Sequence, residues 1–282
     1  MMQGLKRFLL AVAAMVVGGS AWAQQPRDWQ MSFQRAHSPV QQSIAGLHSL
    51  VIWLMALVTV FVAALLLYVT WRYRASKNPV ASRVSHHTAL EVAWTLIPVL
   101  VLVVIAIPSF RLVYFEDRTE AADLTVKVTG HRWYWEYTYP DQGGIDFSSY
   151  MINDEDRKPE QGPRNLAVDN HMVVPAGKNI RILTTSGDVI HSFFIPSLGV
   201  QRYAIPGRTI ETWVKVDAPG IYYGECNQIC GEKHSMMPIA IEAMTEQNFA
   251  AWVEQAKTKY AEVDAPAPIG EQRVAAVVEA GR

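Results

Sequence analysis

The sequence predicts a hairpin of two membrane-spanning helices followed by an all-β domain outside the membrane. Two observations predict this fold class. The long apolar runs of the 282-residue chain fall almost entirely before residue 115. Beyond that point, short alternating runs are broken by proline and glycine, which is typical of an antiparallel sandwich or barrel. The formal net charge of −1 gives no indication of nucleic-acid binding.

Residues 1–23 have the three parts of an export signal. A basic segment with Lys6 and Arg7 precedes an apolar stretch, and Ala21-Trp22-Ala23 forms a cleavage site of the A-x-A type. The apolar stretch is too short to cross a bilayer, so we expect the mature chain to begin near Gln24. A retained anchor helix is the alternative interpretation of this segment.

Residues 24–114 contain a short N-terminal segment and the two predicted membrane helices, at about 47–69 and about 92–114. Each apolar run is long enough for the roughly 20 residues that a crossing requires. The connection between them has four basic residues and no acidic residue from 72 to 89, so the positive-inside rule places it in the cytoplasm. A buried hairpin of a soluble protein is the alternative, and the uninterrupted apolar faces disfavour it.

Residues 115–260 are predicted to form the exported domain. Four alternating stretches, which begin at Leu124, Asn179, Thr209 and Pro238, predict strands. Apolar residues at helical spacing from 245 to 260 predict a C-terminal helix, and residues 261–282 predict a loosely ordered tail. Residues 115–244 carry 18 acidic and 12 basic side chains. This excess would attract a basic partner protein, although any single carboxylate is equally well explained by a solvated surface.

The only two cysteines lie in a twelve-residue segment that also contains a histidine and a methionine. It reads Cys226-Asn-Gln-Ile-Cys230-Gly-Glu-Lys-His234-Ser-Met-Met237. A disulfide is the ordinary use of two cysteines in an exported protein, but it would explain neither the histidine nor the methionine. Thiolate, imidazole and thioether together suit copper, whereas zinc would gain little from methionine. Because one copper ion needs only one cysteine, the second thiolate favours a pair of bridged copper ions.

A two-copper site needs a second imidazole from elsewhere in the chain. His191, in Asp188-Val-Ile-His191, is the best candidate because apolar residues frame it before a turn. An ordinary, partly buried histidine is the alternative. Of the other histidines, only His131 has a similar apolar setting.

These motifs together resemble subunit II of cytochrome c oxidase over nearly all of residues 40–256. The matching segments are the hairpin, Gly130-His-Arg-Trp-Tyr-Trp-Glu-Tyr137, Asp188–His191, Ala204-Ile-Pro-Gly-Arg208 and the cysteine loop. The resemblance implies a cupredoxin fold, a Greek-key β-barrel, with a binuclear copper centre called CuA. It implies that Cys226 and Cys230 bridge the ions, His191 and His234 bind one each, Met237 is a weak axial ligand, and Gln228 contributes its backbone carbonyl.

The resemblance also implies the partners of the chain. Members of this family receive electrons from a c-type cytochrome and pass them to the haems of catalytic subunit I, which reduces oxygen to water. The resemblance therefore implies an oxidase with other subunits in the bacterial cytoplasmic (inner) membrane, with the copper domain in the periplasm.

Four further residues match functional positions of the family. Trp133 matches the residue that takes up electrons from cytochrome c, with core packing as the alternative role. Asp169 and Asp188 match carboxylates at which the cytochrome docks. Glu91 matches the carboxylate at the mouth of a proton channel of the oxidase, although a helix N-terminus favours a carboxylate in any case.

Two positions depart from the family pattern. Gln228 replaces a glutamate whose side chain helps to bind a magnesium ion at the interface with the catalytic subunit, and Tyr203 replaces an aspartate. A neutral amide is a poorer ligand than a carboxylate for this hard cation. These changes put the magnesium site in doubt, whereas the copper contact through the backbone carbonyl would survive.

Other functions predict different sequence features. A copper-free subunit II of a quinol oxidase would lack Cys226, Cys230 or His191. A copper delivery or storage protein would favour exposed methionines and a loose set of ligands. An electron-transfer domain like that of nitrous-oxide reductase would not need the two membrane helices.

Overall fold

The structure is a computed structural model that describes residues 26–117 and 121–260. The predicted export signal, residues 1–23, and the predicted tail, residues 261–282, lie outside the described residues. The helices are α1 (Pro39–Arg72), α2 (Thr88–Asp117) and α3 (Glu246–Tyr260). The strands are β1 (Leu124–His131), β2 (Tyr134–Tyr139), β3 (Ile145–Ser149), β4 (Met172–Pro175), β5 (Ile180–Ser186), β6 (His191–Ile195), β7 (Val200–Ala204), β8 (Ile210–Val214), β9 (Gly220–Cys226) and β10 (Pro238–Met244).

Helices α1 and α2 form the hairpin, and both are long and apolar enough to cross a membrane. They contain 34 and 30 residues, and most of their large apolar side chains are exposed. Ser38 caps α1 by accepting a hydrogen bond from the N–H of Gln41, and Pro39 occupies the first turn, where its missing N–H has no consequence. At 1.5 Å per residue, α1 is about 50 Å long, against about 30 Å for the hydrocarbon core of a bilayer. The helix therefore continues beyond the membrane towards the β domain.

Hydrogen bonds at the outer ends of both helices connect the hairpin to the β domain. The hydroxyl of Ser38 donates to a backbone carbonyl that precedes β7, and a side chain of β8 donates to a carbonyl near the end of α2. The contacts are Ser38 Oγ to Leu198 O at 2.6 Å, Gln42 Nε2 to Asp217 Oδ2 at 3.0 Å, and Trp213 Nε1 to Phe115 O at 3.1 Å.

The β domain is a sandwich of two five-stranded sheets, in the orders β3-β2-β1-β5-β8 and β4-β10-β9-β6-β7. Alternate residues of both sheets point inwards and form one apolar core. The fold is the predicted one and most strand pairs are antiparallel, but β1 pairs with β5, and β4 with β10, in parallel, which the prediction of an antiparallel sandwich did not include. Parallel pairing depends on crossover connections between strands distant in sequence, which alternation within a strand does not reveal.

Three connections meet at one end of this sandwich. They are the turn between β1 and β2, the chain that leads into β6, and the loop between β9 and β10. The pairing of β6 with β9 places Phe193 opposite Cys226, so the start of β6 lies beside the cysteine loop. The candidate site is built at this end.

Candidate metal centre

Two thiols and an imidazole converge at the end of the sandwich. The ligand atoms of His191, Cys226 and Cys230 all lie within 4.8 Å of one another, and all three side chains are buried. The two Sγ atoms are 3.9 Å apart, far beyond the roughly 2.05 Å of a disulfide bond, and both cysteines are free. Metal–thiolate bonds of about 2.3 Å allow an ion to bind both sulfurs only if these lie within about 4.6 Å of each other. The pair satisfies this limit.

The loop between β9 and β10 brings further ligand atoms to the thiols. Cys230 Sγ lies 3.6 Å from His234 Nδ1 and 3.6 Å from Met237 Sδ, and Cys226 Sγ lies 3.3 Å from the backbone oxygen of Gln228. The loop closes on itself because the N–H of Cys226 donates to the carbonyl of Met237 at 3.3 Å. All the ligands implied by the resemblance are therefore neighbours.

The two ring nitrogens of His191 have different surroundings. Its Nε2 lies 2.9 Å from Asp188 Oδ1, while its buried Nδ1 has no hydrogen-bond partner among the described residues. A buried polar atom without a partner calls for an explanation, and a metal ion supplies one. Burial lowers the pKa of His191, against the opposing effect of Asp188, and so favours the neutral imidazole that metal binding requires.

Asp188 connects the imidazole to the turn between β1 and β2. Its Oδ1 also accepts a hydrogen bond from the N–H of Val189, and its Oδ2 accepts one from the N–H of Arg132 at 2.7 Å. Burial raises the pKa of Asp188, but the hydrogen bonds from His191, Val189 and Arg132 outweigh it and lower the pKa overall. The sequence predicts Asp188 only as a docking carboxylate. The spacing of three residues before His191 was the signal for this orienting role.

Two residues of strands β1 and β2 support the cluster from beneath. A Cβ atom at Gly130 would lie 2.8 Å from Cδ2 of His191, so the imidazole packs directly against the glycine backbone. Trp135 is fully buried, and its Nε1 donates to the carbonyl of Met237 at 3.1 Å. The sequence motif that contains both residues thus forms the floor of the site.

Burial and the neighbouring Cys226 raise the pKa of the Cys230 thiol to about 12. In the absence of metal this thiol therefore stays protonated at neutral pH. Metal ions bind thiolates, so loading the site must release protons.

The aromatic residues around Trp133 form a layer beside the cluster. Tyr134 stacks between His131, at 4.7 Å, and Tyr150, at 4.6 Å between ring centroids. Nε2 of His131 lies 3.4 Å from a carboxylate oxygen of Glu136. Within residues 26–117 and 121–260, it is therefore His191 rather than His131 that joins the cysteines.

The remaining predicted residues lie away from the thiols. Asp169 is exposed and accepts a hydrogen bond from the N–H of Tyr150 at 2.7 Å. Glu91 lies in the first turn of α2, where Oε1 accepts from the N–H of His87 at 3.2 Å. This contact caps the helix, as the alternative interpretation of Glu91 expects. Tyr203 is exposed on β7, and Gln228 is half-buried.

Comparison with known proteins gives consistent matches over most of the chain. Residues 26–112 match the family "Cytochrome C oxidase subunit II, transmembrane domain", and residues 124–244 match "Cytochrome C oxidase subunit II, periplasmic domain". A probable cytochrome c oxidase subunit 2 of Rickettsia felis is 42% identical over 88% of this chain and 78% of the relative. Cytochrome c oxidase subunit 2 of Arabidopsis thaliana is 42% identical over 80% of this chain and 88% of the relative.

Solved structures also match this chain, and one of them is a periplasmic domain. It is the periplasmic domain of subunit II of cytochrome oxidase of Bradyrhizobium japonicum, which is 49% identical and aligns with 51% of this chain and 99% of that domain, with a TM-score of 0.48. The two family matches and the relatives at 42% identity cover both the hairpin and the β domain. The chain therefore belongs to the cytochrome c oxidase subunit II family.

Proposed function

We propose that this chain accepts single electrons from a c-type cytochrome at a binuclear CuA centre and passes them to the haems of catalytic subunit I, where oxygen is reduced to water. The observation that carries the proposal is the pair of free, buried thiols, 3.9 Å apart, beside an imidazole whose Nδ1 has no partner among the described residues. One thiol and one imidazole would serve a single copper ion. Because a single electron-transfer copper is held by one thiolate, the second thiol favours a pair of bridged ions.

The proposed ligands are Cys226 and Cys230 as bridges, His191 and His234 as one imidazole for each ion, Met237 as a weak axial ligand and the backbone carbonyl of Gln228. When bound, the copper pair supplies one-electron redox chemistry. The protein's own contribution is to hold these atoms together before metal arrives. Burial excludes water from the thiols, and Asp188 fixes the ring orientation of His191.

Electron uptake is assigned to Trp133, with Tyr134 and Trp135 in support. Its half-buried ring packs against the core beside the cysteine loop. Asp169 and Asp188 are the proposed docking carboxylates for a basic cytochrome, and the acidic excess of the domain would increase the association rate. Asp169 fits this role better, because both oxygens of Asp188 already accept internal hydrogen bonds.

The two apolar helices support membrane embedding, and the proposed location is the bacterial inner membrane with the β domain in the periplasm. Glu91 would then lie at the cytoplasmic side, where it is the proposed mouth of a proton channel. The interfacial magnesium ion is expected to bind weakly, because Gln228 offers an amide instead of a carboxylate. None of the described contacts favours a copper delivery protein, and all the ligand side chains that a copper-free quinol oxidase subunit would lack are present.

Electron paramagnetic resonance of the copper-loaded full chain tests the proposal. One electron shared equally between two copper ions gives a seven-line hyperfine pattern, which is the expected result. A four-line pattern would indicate an isolated copper ion and contradict the binuclear assignment. Absence of copper uptake would contradict the proposal as a whole.

A further inference from the structure

Gly231 follows Cys230 directly and lies against the ring of Trp133. A Cβ atom built at Gly231 would lie 2.9 Å from Cζ2 of Trp133, 3.4 Å from Nε1 and 3.5 Å from Cε2. Real Cβ atoms essentially never lie within 3.0 Å of a heavy atom from another part of the chain. The indole of Trp133 therefore occupies space that any residue other than glycine would take at position 231.

Packing alone holds this indole in place. Its Nε1 is buried and has no hydrogen-bond partner among residues 26–117 and 121–260. The hydrogen bond from the N–H of Arg132 to Asp188 fixes the backbone next to Trp133, but it does not fix the ring. A change in the surface against which the ring packs is therefore expected to move the ring.

A hydrogen bond within the ligand loop holds the backbone at Gly231. Gly231 has φ +128°, a conformation that residues other than glycine rarely adopt. Its carbonyl accepts a hydrogen bond from the N–H of His234 at 3.2 Å. The same backbone continues into the Cys230 ligand. An added methyl group strains this backbone and presses on the ring, and the ring, which makes no hydrogen bond among the described residues, is free to move away.

We propose that Gly231 is a positioning residue for electron uptake, because its missing side chain lets the indole of Trp133 rest on the backbone next to the Cys230 thiol. This inference depends on the proposed role of Trp133. In that role, one electron leaves the ferrous haem of the cytochrome, which becomes ferric, and reduces the copper centre without making or breaking a bond. The rate of such a transfer falls as the gap between donor and acceptor widens.

The test compares Gly231→Ala, Trp133→Phe and the double variant in the purified oxidase complex. Gly231→Ala is expected to slow electron transfer from reduced cytochrome c several-fold, because the displaced indole widens the gap between donor and acceptor. The copper resonance and the onward transfer to the haem should not change. The double variant should match Trp133→Phe alone, because without the indole Gly231 has nothing to position.

Gly162→Ala is the matched control. Gly162 has φ +123°, and its added Cβ would lie 2.6 Å from the hydroxyl oxygen of Tyr223. The control therefore introduces the same kind of backbone strain and the same kind of clash with an aromatic side chain, but away from Trp133. It should destabilise the domain and leave the rate of electron uptake unchanged.

A second measurement follows the ring itself, without copper and without activity. In the metal-free full chain labelled with 5-fluorotryptophan, the fluorine resonance that disappears in Trp133→Phe belongs to Trp133. This resonance should shift in Gly231→Ala and stay in place in Gly162→Ala. An unshifted resonance together with an unchanged uptake rate would overturn the inference.

The remaining outcomes separate the two proposals. If Trp133→Phe does not slow uptake, the assigned role of Trp133 is wrong, and the uptake role of Gly231 is wrong with it. If Trp133→Phe slows uptake but Gly231→Ala does not, only the inference about Gly231 fails. Loss of the copper resonance in Gly231→Ala would mean that this glycine serves the ligand loop, which also overturns the inference. If the Gly231→Ala complex fails to assemble, the double variant decides the outcome. Its assembly, with the smaller ring of phenylalanine at position 133, would support a clash between the added methyl group and the indole. If the double variant also fails to assemble, that clash is contradicted.

Discussion

The membrane hairpin and the end of the β domain that carries His191, Cys226 and Cys230, here called the thiol end, depart in opposite senses from the usual distribution of apolar and polar residues between surface and interior. The hairpin exposes large apolar side chains, such as Trp53 at 76% and Leu67 at 71%. The thiol end buries His191 completely, with Nδ1 unpartnered among the described residues. Large exposed apolar surfaces and unpartnered buried polar atoms are both unfavourable in water. Each region is thus completed by something outside the chain, and the kind of departure indicates what that is: an apolar medium in one case and a metal in the other.

The comparison also predicts how the two regions tolerate substitution. A membrane helix needs apolar character over its length, and many side chains supply it. The ligand cluster needs particular atoms at particular places. Conservative changes should therefore be neutral in the hairpin and damaging at the cluster.

The largest effect is expected from Cys226→Ser. A serine hydroxyl lacks the soft thiolate that copper prefers, so the two-copper resonance should disappear. Electron transfer from cytochrome c should fall by more than the roughly 100-fold that changes around a metal's ligands produce. Paramagnetic resonance and flash kinetics of the complex measure both quantities.

Met236→Leu is the control for that experiment. Met236 is exposed beside the buried Met237, so its thioether should be dispensable. If the seven-line pattern survived in Cys226→Ser, the bridging assignment would be wrong.

The hairpin side of the comparison is tested at Val58, an exposed residue in the apolar run of α1. Val58→Arg should make membrane insertion less favourable by about 3–4 kcal/mol, and Val58→Leu should have almost no effect. The fraction of the full chain that resists alkaline extraction from membranes reports this difference. Equal extraction of both variants would mean that this face of α1 does not contact lipid or an apolar partner.

A smaller effect is expected when a carboxylate that orients a ligand is changed. Asp188→Asn keeps the shape of the side chain but weakens the hydrogen bond to Nε2 of His191, so copper affinity should fall by about 10–100-fold. Asp169→Asn is the matched change on the exposed surface. It should leave copper affinity unchanged and slow association with the cytochrome at low salt.

Competition with a copper chelator measures the first effect, and association kinetics measure the second. Equal copper affinity in the wild type and Asp188→Asn would show that the carboxylate serves docking alone, as the sequence suggested.

The smallest effect is expected at position 228. The wild-type complex should bind manganese, a substitute for magnesium, only weakly, and Gln228→Glu should strengthen binding by about tenfold, or on the order of 1.4 kcal/mol. Asn227→Asp places the same charge one residue away and should change little. Manganese resonance under titration gives the affinities. Tight, stoichiometric manganese in the wild type, with Gln228 as a ligand, would contradict the expectation.

The sequence predicts what is local in the chain. The cysteine loop places four ligand side chains within twelve residues, and the apolar runs that predict the helices are continuous. Their chemistry and length can be read without knowledge of the fold. The apolar setting of His191 predicts it as the second imidazole, the resemblance implies the same role, and the fold brings it to the loop through the pairing of β6 with β9.

What the sequence did not predict depends on contacts between distant segments. The parallel pairs β1–β5 and β4–β10 arise from crossovers that no single strand encodes. The contact between Gly231 and Trp133 joins residues almost a hundred positions apart, and nothing in either motif indicates it. Asp188 is predicted only as a charge on the surface, because its hydrogen bond from the N–H of Arg132 depends on the position of the turn between β1 and β2.

The outer ends of the hairpin have a consequence for how chain length can vary. Residues at the start of α1 and near the end of α2 are both fastened to the β domain, through Ser38, Gln42 and Phe115. One residue inserted in α1, between these contacts and the membrane, would rotate Ser38 and Gln42 by about 100° around the helix axis relative to the membrane-embedded part of α1. The contact of α2 through Phe115 would stay in place. Insertions and deletions should therefore be excluded from this stretch and tolerated between residues 73 and 87, where no helix has to stay in phase with another.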